Sequence, residues 1–126
     1  MPPRRRTDPV AGRAALGRWL SEPALTSRED VRTAVRYTLE ELATRAPGAT
    51  VEIRVPPDGA VQAVSGPAHT RGTPPNVVQT DPVTWLELVA GMLRWSDAVA
   101  TGRVRASGLR ADLAPWLPME AGPGGD

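Results

Sequence analysis

The chain of 126 residues contains no cysteine, no lysine and no phenylalanine, and it has a single histidine. Without cysteine there can be no disulfide, no thiolate nucleophile and no cysteine-held zinc or iron–sulfur cluster. That suits a reducing cytoplasm. One histidine without a local cluster of carboxylates does not make a zinc site, and no residue pattern points to a hard-cation site. All 15 basic residues are arginine, set against 14 acidic ones for a net charge of +1. So balanced a surface exerts no strong pull on polyanions. The missing lysine, with heavy use of Ala, Gly and Pro, reads as a coding bias rather than as guanidinium chemistry.

Long apolar runs are missing too. None approaches the ~20 residues a membrane helix needs. The opening "MPPRRRTDPVAGRAALGRWL" has basic residues but no apolar stretch of signal-peptide length. A soluble, cytoplasmic, single-domain protein is expected, its domain spanning 8–118 between flexible tails at 1–7 and 119–126. The Arg4-Arg5-Arg6 triplet could touch nucleic acid or anionic lipid, but no further basic patch supports it, and a solvated tail is the expectation.

The common chemical motifs are absent as well. There is no G-x-S-x-G elbow and neither G-x-x-x-x-G-K-[ST] nor G-x-G-x-x-G, so the usual nucleophile and phosphate cradles are missing. His69, in "HTRGTPPNVVQTDP", has no acidic residue between Asp58 and Asp81 to orient it as a base. Arg71 and Gly72 beside it could hold an anion, although Pro74 and Pro75 remove two backbone donors from any such cradle. A proline-stiffened connection, with His69 structural or solvent-exposed, is the expectation.

What is present is a clear alternation of periods. Asp8-Pro9 is a helix start, a carboxylate cap followed by a proline at a position that needs no N–H. Val10, Ala14, Leu16, Trp19 and Leu20 then predict a short amphipathic helix, stopped by Pro23. A second helix starts at Thr26-Ser27 and ends at Pro47-Gly48, with Val31, Val35, Thr38, Leu39, Leu42 and Ala46 on one face. Arg32, Arg36, Glu40, Glu41 and Arg45 lie on the other, Glu41 and Arg45 at ion-pair spacing. The period then falls to two. "TVEIRV" predicts a half-buried strand, "PPDG" a turn and "AVQAVSG" its antiparallel partner. "NVVQT" is a third strand and "RVRASG" a fourth.

Asp81-Pro82 repeats the cap-and-proline start. Read as one helix, "VTWLELVAGMLRW" carries Trp85, Leu86, Leu88, Val89, Met92 and Leu93 over an arc approaching ~200°, well beyond the ~100° stripe of a one-sided surface helix. Such a helix must touch a sheet on one flank and something else on the other. Ser96 is read as the cap of a short helix closed by Gly102. "LRADLAPWL" is read as a last helical segment, kinked by Pro115.

The stretch "TDPVTWLELVAGMLRWSDAVATGRVRASGLRADLAPWLP" resembles the sterol carrier protein (non-specific lipid-transfer) family. It shares the order of strand, Asp-led helix, "G-x-L" step, short helix with "G-R-V", strand "xxSG" and terminal segment. The preceding "VEIRVPPDGAVQAVSGPAHTRGTPPNVVQTDP" is similar to the bacterial orthologue branch of that family, and the resemblance spans roughly residues 9–118. It implies an α+β fold with a curved, mainly antiparallel sheet covered on one face by helices. The family pattern has five strands, of which four are read from the residues here. It also implies an apolar tunnel between sheet and helices for a fatty acyl chain, sterol or phospholipid, with no catalytic residue and no cofactor.

On that resemblance and the over-wide arc, the expected lipid-binding residues are Trp85, Leu86, Val89, Met92, Leu93 and Trp95 as walls. Leu113, Trp116, Leu117 and Met119 are the expected movable cover. Flexible methionines suit a soft apolar cavity, although for each tryptophan taken singly core packing is the favoured reading. A rival reading is a non-catalytic interaction module with a collapsed tunnel, its extra apolar surface covered by a partner or by a second copy in a homodimer. A third keeps His69 and Arg71 as an anion-handling pair serving another chain.

Overall fold

The computed structural model describes residues 5–66 and 76–119. Its elements run α1 (Pro9–Ser21), a 3-10 turn (Pro23–Leu25), α2 (Arg28–Arg45), β1 (Val51–Val55), β2 (Gly59–Ala63), β3 (Val77–Thr80), α3 (Pro82–Ala90), α4 (Trp95–Ala100), β4 (Val104–Ser107) and a second 3-10 turn (Ala114–Trp116). This is the α+β architecture the sequence implies.

The strands form one mixed sheet in the order β2-β1-β3-β4, antiparallel except for the β1–β3 pair. Ile53 lies opposite Val61 on one side and Val78 on the other, and Thr80 lies opposite Val104. Because side chains alternate along a strand, this register puts Val51, Ile53, Val55, Ala63, Val78, Thr80 and Val104 on one buried face. The other face carries Glu52, Arg54, Gln62, Gln79 and Arg105, with Arg54 paired to Glu52 at 2.7 Å. Only the apolar face requires a cover.

α2 supplies that cover. Val35, Leu39 and Leu42 are buried as the sequence spacing predicts, and Ala34, Tyr37 and Ala43 widen the face. Its opposite side grips the tip of the β1–β2 hairpin. Asp58 is only 2% exposed and takes Arg28 in two bonds of 3.1 and 2.5 Å, while Arg36 donates to its carbonyl at 2.8 Å. Four-residue spacing puts Arg28, Arg32 and Arg36 in one column facing the hairpin. Glu41 and Arg45 make the expected pair at 3.1 Å, and Glu41 also binds Arg5 at 2.7 Å. Thr7 donates its amide to Glu40 at 3.0 Å, so residues 5–7 lie against α2.

α1 packs on the outer side of α2, and here the expected face needs correction. Val10, Ala14 and Leu20 are exposed, while Gly12, Ala15, Leu16 and Trp19 form the contact stripe. The reason is close approach. A Cβ on Gly12 would stand 2.4 Å from the Tyr37 ring, so only glycine lets the two helices meet at this register.

α3 is shorter than the sequence pattern suggests. It ends at Ala90, and Gly91 caps it in the left-handed region at φ 77°. Met92 donates back to the Glu87 carbonyl at 2.9 Å, the 6→1 bond of a Schellman ending. Met92 and Leu93 therefore lie outside the helix. The wide buried arc survives with different members: Thr84, Trp85, Leu86, Leu88 and Val89 still span about 200° at 100° per residue. Further on, α4 begins at Trp95 with Arg94 at the cap position, so Ser96 lies inside the helix, whereas Gly102 follows it at φ 78° as expected. The anticipated terminal helix is one 3-10 turn, because Pro115 and Pro118 leave no room for more.

Trp85 joins the layers. Its indole Nε1–H donates to Thr38 Oγ1 at 2.8 Å in the buried contact between α3 and α2, and the Thr38 hydroxyl reaches the Ala34 carbonyl at 2.8 Å. Thr38→Val keeps the shape but leaves a buried N–H without a partner. It should cost about 1–3 kcal/mol in urea unfolding.

Asp81 caps α3, accepting the Thr84 amide at 3.0 Å and the Thr84 hydroxyl at 2.6 Å. Burial pushes this carboxyl up, but the two Thr84 donors and the nearby Arg103 charge outweigh it and hold its pKa below the ordinary aspartate value. A depressed folded pKa stabilises the fold above the ordinary range, about pH 4, and that contribution disappears as pH falls through the folded value. Asp81→Asn should therefore lower the urea midpoint at neutral pH, and the gap from wild type should close in acid.

Candidate functional site: an apolar groove beside α3 and α4

The end of α3 creates the site. The Gly91 turn sends Leu93 and Arg94 outward before α4 begins, leaving a gap between the two helices. The terminal segment closes the far side. Met119 donates its amide to the Val89 carbonyl at 3.1 Å, one of the acceptors the end of α3 leaves free. Arg45 of α2 donates to the Met119 carbonyl at 2.8 Å. Met119 and Leu113 are buried at either end of this segment, so residues 114–118 bridge between two anchors.

The resulting groove has a volume of about 650 Å³. Leu88, Leu93, Trp95, Val99, Ala100, Ala114, Leu117 and Pro118 give it apolar walls, with Gly91 at its base. Its polar members are Arg94, Ser96 and Asp112. Asp112 accepts the Ala114 amide at 2.9 Å and so shapes the wall itself. The size lies in the range of small-molecule sites, and apolar lining with few polar groups is their usual chemistry.

The residues expected from the sequence to bind lipid divide into three groups. Leu93, Trp95 and Leu117 line the groove. Trp85, Leu86, Val89, Leu113 and Met119 belong to the closed core, and half-buried Trp116 packs against it. Met92 is 60% exposed and is not among the groove-lining residues. Pattern reading overlooked Gly91, Val99, Ala100, Ala114 and Pro118 as wall residues. The signal for them was Gly91 itself, a helix terminator whose consequence is a turn at which a wall can open.

Among the described residues, the interior between sheet and helices is packed with side chains, including Val35, Leu39, Ile53, Val78, Trp85 and Leu86, all at most 1% exposed. A second depression of about 340 Å³ lies by Arg6, Arg36 and Asp58, where Glu40 and Asp58 are already bonded to Thr7 and Arg28. Among the described residues no group of three or more His, Asp or Glu could hold a metal ion. His69, Arg71 and Arg4 lie outside the described residues.

An α+β domain with helices on one face of a mixed sheet and an apolar groove at one end defines the class. Residues 27–119 match the family model of the bacterial sterol carrier protein (SCP) orthologues, and the chain belongs to that family. α1 precedes the matched stretch. No curated protein matches the chain. No helix among the described residues is long and apolar enough to cross a membrane.

Gly91 gives a direct test of how the groove is built. A Cβ there would sit 3.4 Å from Pro118 on a backbone that L-residues avoid. Gly91→Ala should cost about 1–2 kcal/mol of stability and loosen residues 114–118, read as faster amide exchange at Met119.

Proposed function

We propose that the protein is a small, non-catalytic, cytoplasmic lipid-binding domain that holds the apolar part of its ligand in the groove between the α3–α4 turn and the terminal segment. The observation that carries this reading is the groove itself, an apolar depression of about 650 Å³ in a member of a sterol carrier family. It departs from the sequence expectation in location: the ligand lies beside α3 rather than between sheet and helices. Removing ~200 Å² of acyl surface from water contributes about 5 kcal/mol before the costs of association, enough to bind without directed hydrogen bonds.

Native mass spectrometry of protein purified without detergent should find a lipid adduct. The double variant Trp95→Ala, Leu117→Ala should bind a fluorescent fatty acid at least about tenfold more weakly than wild type, the loss of roughly 1.4 kcal/mol. A bare mass together with no binding of the fluorescent fatty acid would overturn the reading.

The filled interior favours a second reading, an interaction module whose groove takes an apolar segment of a partner or a second copy. Size-exclusion chromatography with light scattering separates the two. A stable dimer that takes up no lipid supports the module.

A further inference from the structure

The groove contains one cation that nothing else uses. Seven arginines among the described residues are ion-paired: Arg5, Arg18, Arg28, Arg32, Arg45, Arg54 and Arg103. Arg36 donates to the Asp58 carbonyl. Arg94 lines the groove, and its guanidinium, like those of Arg6, Arg13, Arg105 and Arg110, makes no hydrogen bond or ion pair among the described residues. It stands between Leu93 and Trp95, both on the apolar wall. The one carboxylate of the lining, Asp112, accepts the Ala114 amide and makes no ion pair with Arg94.

We propose that Arg94 is a specificity-determining residue that makes the groove prefer an amphiphile with an anionic head, carboxylate or phosphate, over a neutral one. The inference rests on the lipid-binding reading above and narrows the ligand class within it. A guanidinium presents a planar fork of N–H donors matched to carboxylate and phosphate oxygens. With Leu93 and Trp95 taking up the adjoining chain, the head would meet that fork just as the tail enters the apolar walls. A sterol hydroxyl offers the guanidinium a neutral acceptor, and such a bond is roughly half as strong. Asp112 opposes an anion by its charge, and its engagement with Ala114 keeps it directed at the wall. The carboxylate therefore lowers the selectivity without reversing it.

The test uses three probes that share one tail: hexadecanoate, hexadecyl phosphate and hexadecanol, titrated below their aggregation concentrations and followed by intrinsic tryptophan fluorescence. The wild type should bind both anions about ten- to a hundredfold more tightly than the alcohol, the range a charge-assisted hydrogen bond confers. Arg94→Gln should remove that preference by weakening both anions far more than hexadecanol, and Arg94→Lys should retain part of it. The ratio of carboxylate to phosphate affinity in the wild type identifies which head the site takes. Equal affinity for all three probes, or a preference that survives Arg94→Gln, overturns the role of Arg94 and leaves the groove reading intact. Failure of all three to bind overturns both.

Discussion

The hydrogen bond between Trp85 and Thr38 is the constraint on which the other contacts depend. A helix with a buried arc of about 200° cannot lie on a surface; it has to be inserted between two layers. Trp85, Leu86, Leu88 and Val89 of α3 share one core cluster with Ile53 and Val78 of the sheet, and α3 meets α2 through Trp85. The indole has one polar atom, and burying it without a partner would cancel much of the gain from burying its rings. Thr38 provides the partner at no loss to α2, since its hydroxyl donates to the Ala34 carbonyl of the preceding turn and accepts from the indole. The position of α3 is thereby fixed, and with it the point at which Gly91 ends the helix.

What could be read from the sequence follows from periodicity. The two-residue alternation of Val51, Ile53 and Val55, the stripe of Val35, Leu39 and Leu42 on α2, and the Asp-Pro starts at Asp8 and Asp81 are local signals with local causes, and the structure contains each of them. The misreadings arose where a tertiary contact decides. α1 buries Gly12 and Ala15 in place of Val10 and Leu20 because the Tyr37 ring demands close approach, and that ring lies 25 residues further along the chain. The apolar run from Val83 to Trp95 reads as one helix only if Gly91 is tolerated inside it. The left-handed turn instead separates Leu93 from the arc it was assigned to and turns it into a groove wall. The same run thus yields both a core and a surface site, which periodicity alone does not divide.

Leu113 and Met119 show the same limit from the other end. As apolar residues in a proline-broken segment they suggest a movable cover. They are instead the two points where the segment is fastened, Leu113 within the core and Met119 by its backbone to Val89 and Arg45. Long-range hydrogen bonds such as Arg45 to Met119, separated by 74 positions, have no counterpart in local sequence pattern.

The prolines in that stretch then acquire a physical purpose beyond stopping a helix. Any backbone that faces an apolar groove must account for its N–H and C=O groups, since each one left unpaired opposes the entry of an apolar ligand. Pro115 and Pro118 have no N–H to satisfy. The donors that remain are spoken for: Ala114 by Asp112, Trp116 by the Leu113 carbonyl, Leu117 by the Ala114 carbonyl and Met119 by Val89. The wall from Ala114 to Pro118 therefore presents no free amide to the groove. A regular helix of the same length would leave its first-turn amides without internal partners at this point. A proline-rich 3-10 turn is the better wall for an apolar site because it is too short and too poor in donors to behave as a helix.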